Sequence, residues 1–316
     1  MCAQSAISST VVTVGNFDGV HCGHQALVTE ARRMAGADGQ VIALVFDPHP
    51  RFILSPDLGH PAKLSTFPSR RQLLLQYGAN VVHQLTPTPD LLNQSPSEFV
   101  EMLVAEYGMS AMMEGPDFRF GRKRSGDMTV LRELGEQMGF EVRIADAVEL
   151  GLSDQMMVKA SSSMARRMIR VGRIRDTAKI LGRPYRLIGE VVQGDGRGRT
   201  IGYPTANVRT EYLIPASGVY ECRARRRSVD HTEGDEVGEW YAAAVNIGTR
   251  PTFKGGVEQV CEVYLLDFAG EVGLYGWDIE VEFRTFLRDE IQFPSVEAVI
   301  AQIGRDVNRV RTLATY

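Results

Sequence analysis

The chain changes texture near residue 184, and that change limits its architecture more than any other feature. Before it, short apolar runs rich in β-branched residues (Val11–Val14, Val41–Phe46, Val81–Leu85, Val142–Ala145) alternate with helical patterns (Gln25–Met34, Arg70–Tyr77, Pro96–Tyr107, Thr129–Met138). Runs of that kind suit strands buried on both faces of a parallel sheet, and the alternation supplies the crossover helices. Ser95 as N-cap, Pro96 at the first helical position and Glu98 closing a capping box mark one helix start. Two basic helical segments within Ser161–Arg183 end at Gly182-Arg183-Pro184. Beyond that point Tyr185–Val192, Gly218–Arg225, Trp240–Val245, Gln259–Leu266 and Asp278–Phe286 read as strands, separated by glycine-rich or polar loops. They predict a small antiparallel barrel. A helix over Ser295–Leu313, with Val296, Val299, Ile300, Ile303, Val307 and Val310 on its apolar face, would close it. With 316 residues, two domains are the natural expectation: α/β over residues 1–183 and β over residues 184–316.

Composition excludes some function classes. A hydrophobic content of 44% supports real cores, while a formal net charge of −4 argues against a nucleic-acid partner. Anionic small molecules stay open, because they need only local donors. The four cysteines form no C-x-x-C pair, and no apolar run is long enough to cross a membrane. A soluble, cytoplasmic protein with reduced thiols is expected. The stretch Arg223–Gly238 reads as a solvated, mobile hairpin loop whose acidic half argues against RNA. The oligomeric state is not fixed, so a homo-oligomer stays open.

The first chemistry-bearing segment follows the first strand: Gly15-Asn16-Phe17-Asp18-Gly19-Val20-His21-Cys22-Gly23-His24, then a helix. Glycines at 15, 19 and 23 allow tight turns and close backbone approach, and the helix N-terminus offers N–H groups to phosphate. His21 and His24 add ring donors beside them. Donors of that kind stabilise charge on a phosphate from which pyrophosphate departs, a reaction in which an anionic acceptor needs no strong base.

The H-x-G-H string resembles the nucleotidyltransferase superfamily, and GNFDGVHCGH resembles bacterial FAD synthetases. The resemblance implies a Rossmann-like domain that transfers AMP from ATP to FMN. It continues in Phe46-Asp47-Pro48-His49-Pro50, in Gly115-Pro116-Asp117-Phe118-Arg119-Phe120-Gly121, and in Ala160-Ser161-Ser162-Ser163-Met164-Ala165-Arg166. It implies catalytic roles for His21 and His24. Nucleotide or phosphate contacts fall to Gly15, Phe17, Asp18, Gly23, Asp47, Asp117, Ser162, Ser163 and Arg166. The chain departs from the family pattern at Glu114-Gly115-Pro116, Ala160 and Ser163.

A second glycine-rich segment opens the barrel: Gly194-Asp195-Gly196-Arg197-Gly198-Arg199-Thr200-Ile201-Gly202-Tyr203-Pro204-Thr205-Ala206-Asn207. It lacks G-K-[ST] and opens no helix, so it reads as a flap over phosphates and not a Walker A loop. Thr205 and Asn207 share one face of a strand and carry the hard oxygen donors that Mg²⁺ accepts. GRTIGYPTAN resembles riboflavin kinases. That resemblance implies ATP contacts at Gly194, Gly198, Arg199, Gly202, Thr205 and Asn207, Mg²⁺ at Thr205 and Asn207, and Glu262 as the catalytic base. A neutral ribityl hydroxyl must lose a proton to attack phosphate, which is work for a carboxylate. Asn246–Thr252 is expected to shape the mouth, and Arg288 and Glu290 to contact the flavin. Riboflavin, FMN and ATP would be the substrates. Retention of only one activity, or flavin binding without catalysis, are the rival readings.

Overall fold

In the computed structural model, which describes residues 9–54, 57, 62–194, 196–227, 238–251, 257–268 and 275–314, packing divides the chain into two compact units. One holds Met1–Pro61, Ser65–Gly151 and Met157–Ser162; the other holds Ala62–Leu64, Leu152–Met156 and Ser163–Tyr316.

The first unit runs β1 (Thr10–Gly15), α1 (Cys22–Ala35), β2 (Gln40–Phe46), α2 (Arg51–Leu54), α3 (Phe67–Gln76), β3 (Val81–Leu85), α4 (Pro89–Asn93), α5 (Pro96–Tyr107), β4 (Ala111–Glu114), α6 (Met128–Met138) and β5 (Glu141–Ile144). A hairpin of β6 (Glu149–Gly151) and β7 (Met157–Lys159) follows. The sheet is parallel, in the order β3-β2-β1-β4-β5. Its strands are apolar on both faces because each face is covered. Val11, Val41, Ala43 and Val45 pack with Leu27, Val28 and Ala31 of α1 and with Leu74 of α3. Val12, Val14, Ile42 and Leu44 pack with Phe99, Val100 and Leu103 of α5 and with Leu131 and Leu134 of α6. Chain order reverses between β1 and β4, the place where a sheet of this type presents its ligand crevice.

The sequence pattern omitted β4. Ala-Met-Met-Glu carries no β-branched residue, and it is a strand because a fully buried slot between β1 and β5 makes it one. The short β6–β7 hairpin was not expected either.

The second unit begins with α7 (Ser162–Arg170), whose first residue still belongs to the first unit, and α8 (Ile174–Leu181). The barrel strands are β8 (Tyr185–Val192), β9 (Ala206–Arg209), β10 (Gly218–Arg227), β11 (Tyr241–Pro251), β12 (Val257–Leu265) and β13 (Asp278–Arg288), with α10 (Val296–Ala314) last. They close antiparallel in the order β10-β11-β12-β9-β8-β13. Packing thus groups α7 and α8 with the barrel, although the change of texture falls at 184. Ile169, Ile174 and Ile180 are buried, and the Ile169 carbonyl accepts the Ala216 N–H.

Three expectations change. The glycine-rich segment contains one helical turn, α9 (Arg197–Thr200). Arg223–Arg227 are strand residues of β10, not a mobile loop; their cross-strand partners include Glu280 and Glu282, which hold Arg225 and Arg223 in ion pairs. Residues 228–237 of that stretch lie outside the described residues. Of the apolar residues expected on the closing helix, Val307 and Val310 are buried, while Val296 and Ile300 stay exposed.

Ser95 accepts the Glu98 N–H at 3.3 Å and the Glu98 carboxylate takes the Ser95 N–H at 2.7 Å, completing the expected capping box of α5. Ser95→Ala should therefore destabilise the first unit by about 1 kcal/mol, read as a lower denaturant midpoint.

Candidate active sites

Strand β1 delivers its glycine loop to the crevice end of the sheet. Phe17 and Val20 are both buried with positive φ (47° and 38°), and Gly19 shares that region at 79°. A conformation this costly for side-chain residues persists only when its surroundings fix it. Asp18 does part of that work: its Oδ1 accepts the Ser65 N–H (2.9 Å) and hydroxyl (3.1 Å), while Gly19 N–H donates to Ser65 Oγ (2.7 Å). Ser162 donates to the Asp18 carbonyl (2.7 Å). Buried Arg70 donates to the carbonyls of Asn16 (2.7 Å) and Phe46 (3.1 Å) and pairs with Asp47. Asp18 and Asp47 therefore brace the loop.

His21 caps the start of α1 without using its side chain as a cap. Its ring stacks on His24, centroids 3.7 Å apart, and Phe17 meets His24 edge-on at 5.0 Å. A Cβ at Gly23 would stand 3.1 Å from the His21 ring, so glycine permits the stack. Burial, and after it the charge of His21, hold the His24 pKa well below the ordinary histidine value, so this ring is neutral. His24 Nδ1 and Asn16 Oδ1 are enclosed and make no hydrogen bond among the described residues. Buried polar atoms left unmet in a glycine loop are what a polar ligand would satisfy.

The other expected residues are placed differently. Asp117 is exposed and pairs with Lys159, which lowers its pKa. Ser163 and Arg166 belong to the second unit; Ser163 is exposed, and Arg166 donates to the Ala62 carbonyl at 3.1 Å.

The barrel site is set by register. Asn207 lies opposite Glu262, Glu262 opposite Asn246, Asn246 opposite Val219, and Val219 opposite Arg288. Directly opposed residues of antiparallel strands project to the same face. Here it is the outer face, because the alternating positions Ala206, Cys261, Val263, Val245 and Ile247 fill the barrel interior. All five residues of the row line a cavity of about 440 Å³, joined by Thr205, Gly198, Arg250 and Glu290, and by Val299, Ile303 and Asp306 of α10.

Within it, Asn246 Nδ2 donates to Glu262 at 3.4 Å and Arg250 stands 3.6 Å from the other carboxylate oxygen. The Glu262 side chain is 30% exposed, so it remains reachable. Arg288 is held by Asp306 (2.7–3.1 Å) with its guanidinium near Phe293. A Cβ at Gly248 would stand 2.7 Å from Glu290. Arg199 and Gly202 are exposed and lie off the cavity wall. Asp195 and Thr252 fall outside the described residues.

Comparison with known proteins follows the same division. Residues 3–159 match the FAD synthetase family model and residues 181–314 the riboflavin kinase model. A protein of Listeria monocytogenes described as bifunctional riboflavin kinase/FMN adenylyltransferase is 36% identical over 304 residues, 95% of this chain and 91% of its own. Proteins of that description from Pseudomonas fluorescens (37%; 96% and 93% covered) and Escherichia coli K12 (32%; 96% and 92%) also match. The chain belongs to the bifunctional riboflavin kinase/FMN adenylyltransferase family. A crystal structure from Streptococcus pneumoniae, described as a macrolide-efflux protein, shares the fold: TM-score 0.81, 29% identity, 96% of this chain and 94% of that one.

Asn246 and Arg250 line the cavity, within the segment expected to shape its mouth, whereas Asn16, Arg70 and Asp306 stand at the candidate sites without having been singled out from the sequence. Asp306 had a usable signal, since it stands one turn from Ile303 and Val310 on a face otherwise apolar. Arg70 had none, because its partners come from three separate segments.

A Cβ at Gly194 would land on the Asn207 amide. Gly194→Ala should push that flexible side chain aside at little cost in stability. Riboflavin phosphorylation should fall by roughly tenfold or more, with the melting temperature unchanged.

Proposed function

We propose that the barrel phosphorylates riboflavin to FMN with ATP and that the parallel-sheet unit adenylylates FMN to FAD, releasing pyrophosphate, each step carried by the residues above. The functional division is drawn at 1–183 and 184–316. The supporting observation is the register that puts Glu262 between Asn207 and Asn246 on one cavity wall.

In the kinase step Glu262 accepts the proton of the ribityl hydroxyl as its oxygen attacks the γ-phosphorus, and ADP leaves. Asn246 and Arg250 hold the carboxylate in line for that transfer. The flap glycines let backbone N–H groups approach the phosphates, and Arg288 and Glu290 face the flavin. Thr205 and Asn207 would hold Mg²⁺. Their neutral oxygens fit an ion whose charge is met chiefly by phosphate, and among the described residues no cluster of three His, Cys, Asp or Glu could hold a metal. When bound, the ion neutralises phosphate charge.

In the adenylyl step the FMN phosphate attacks the α-phosphorus of ATP and the bond to pyrophosphate breaks. The acceptor is already an anion, so the site supplies donors and no base. His21 and His24 are aimed at the developing charge. The N–H groups of the Gly15–Gly23 loop and the start of α1 hold the phosphates. Contacts from Asp117, Ser163 and Arg166 rest on the motif resemblance alone. Cys222 and Cys261 are buried thiols outside any disulfide, which supports a cytoplasmic location; no helix of the described residues is long and apolar enough to cross a membrane.

Glu262→Ala should lower FMN formation by about 10²–10⁴-fold and leave FAD formation from added FMN intact. His24→Ala should do the reverse, lowering FAD formation by about 10²–10³-fold. Parallel loss of both activities in either variant, with the fold unharmed, would disprove the two-site assignment.

A further inference from the structure

A buried carboxyl outside both sets of catalytic residues occupies the reversal point of the parallel sheet. Strands β1 and β4 pair only at Val11–Ala111 and Val12–Met112. Past that point each keeps its other neighbour: β1 pairs with β2 as far as Gly15–Val45, and β4 with β5 as far as Glu114–Ile144. The two strands part from each other while both remain in the sheet. A parting of this kind strands the Val14 N–H, which is fully enclosed and needs an acceptor.

Glu114 supplies it. Its Oε1 accepts the Val14 N–H at 2.6 Å and the Thr13 hydroxyl at 3.3 Å. Its own carbonyl accepts the Ala145 N–H at 2.8 Å, anchoring the end of β4 beyond β5. The side chain is a strut across the gap, 3% exposed. The next residues on either side are the ligand loops, Gly15-Asn16 after β1 and Gly115–Asp117 after β4.

We propose that Glu114 is a positioning residue of the adenylyl site, setting the separation of the β1 and β4 loops between which ATP enters. The inference rests on the adenylylation reading given above. Burial raises the carboxyl pKa well above its usual range, outweighing the two hydrogen bonds that lower it. Both hydrogen bonds fall on one oxygen, Oε1, so glutamine can take its place: the amide oxygen accepts the same N–H bond. Methionine matches its reach without offering a comparable acceptor.

The test compares Glu114→Gln and Glu114→Met in the full chain, measuring KM for ATP and kcat in FAD synthesis from added FMN, with riboflavin phosphorylation as the internal control. The Met variant should raise KM for ATP by about tenfold, the scale of one lost buried hydrogen bond. The Gln variant should stay within about twofold of the parent, and phosphorylation should be unchanged in both. Exchange of the Val14 amide proton should be slow in the parent and the Gln variant and fast in the Met variant. A Met variant with parental KM, or a Gln variant as impaired as Met, overturns the proposal. So does a decline of both activities together in either folded variant. If the Met variant fails to fold, the Gln variant decides: parental adenylylation supports the strut, and loss of it refutes it. A parent chain making FMN but no FAD would instead refute the adenylylation reading itself.

Discussion

A β-ladder consumes the backbone groups that a phosphate needs, so a sheet can bind one only where its ladder is interrupted. The parting of β1 from β4 is that interruption, and the first unit is organised around it. It turns the end of β1 into a loop, aims α1 at the gap, and leaves Asn16 and His24 with enclosed polar atoms that no described residue meets. Keeping the gap open has a cost, because buried backbone groups on both strands lose their ladder partners. Ser65, Arg70 and Glu114 meet that cost by capping carbonyls and N–H groups from outside the loop. None of the three is a plausible reactant, yet the loop's positive φ angles depend on such bracing.

The barrel solves a different problem. Its ladder is closed, so ligand contacts come from side chains on the outer face and from a loop laid over it. Register does the positioning there: one lateral row brings Asn207, Glu262, Asn246 and Arg288 from four strands to one wall without any of them being near in sequence. A one-residue slip of β12 would send Glu262 into an interior filled by Val245, Ile247 and Val263. The apolar interior therefore protects the arrangement of polar residues on the cavity wall outside it.

Much of this was legible in the sequence. Strands with β-branched runs and the Ser95 capping box are local patterns, and the structure follows them; the expected helix begins inside HCGH, at Cys22, and Thr205 precedes β9 yet lines the same cavity as Asn207. What escaped was set by neighbours. Ala111–Glu114 is a strand only because β1 and β5 flank it. Arg223 and Arg225 look like part of a solvated arginine run, yet Glu282, Glu280 and the Trp240 ring hold them. Asp18 and Asp47 sit inside motif strings that suggest ligand contacts, while their carboxylates are engaged by Ser65 and Arg70. A motif marks where a site is; which of its atoms face inward is decided by residues distant in the chain.

The two sites also differ as their acceptors require. A flavin phosphate arrives already charged, and the candidate pocket of the first unit offers imidazoles, one held neutral by burial, while the carboxylates of Asp18 and Asp47 are committed to protein partners. A ribityl hydroxyl arrives uncharged, and the pocket that receives it keeps a carboxylate half-exposed and within reach of an asparagine and an arginine. Exchanging the two environments would fail in both directions. A free carboxylate in the first pocket would oppose three phosphates and a flavin phosphate at once, and imidazoles as hydrogen-bond donors in the second would leave the hydroxyl proton without an acceptor. The placement of carboxylates differs between the units in the sense the two chemistries call for: Asp18 and Asp47 are tied up in one, and Glu262 is left reachable in the other.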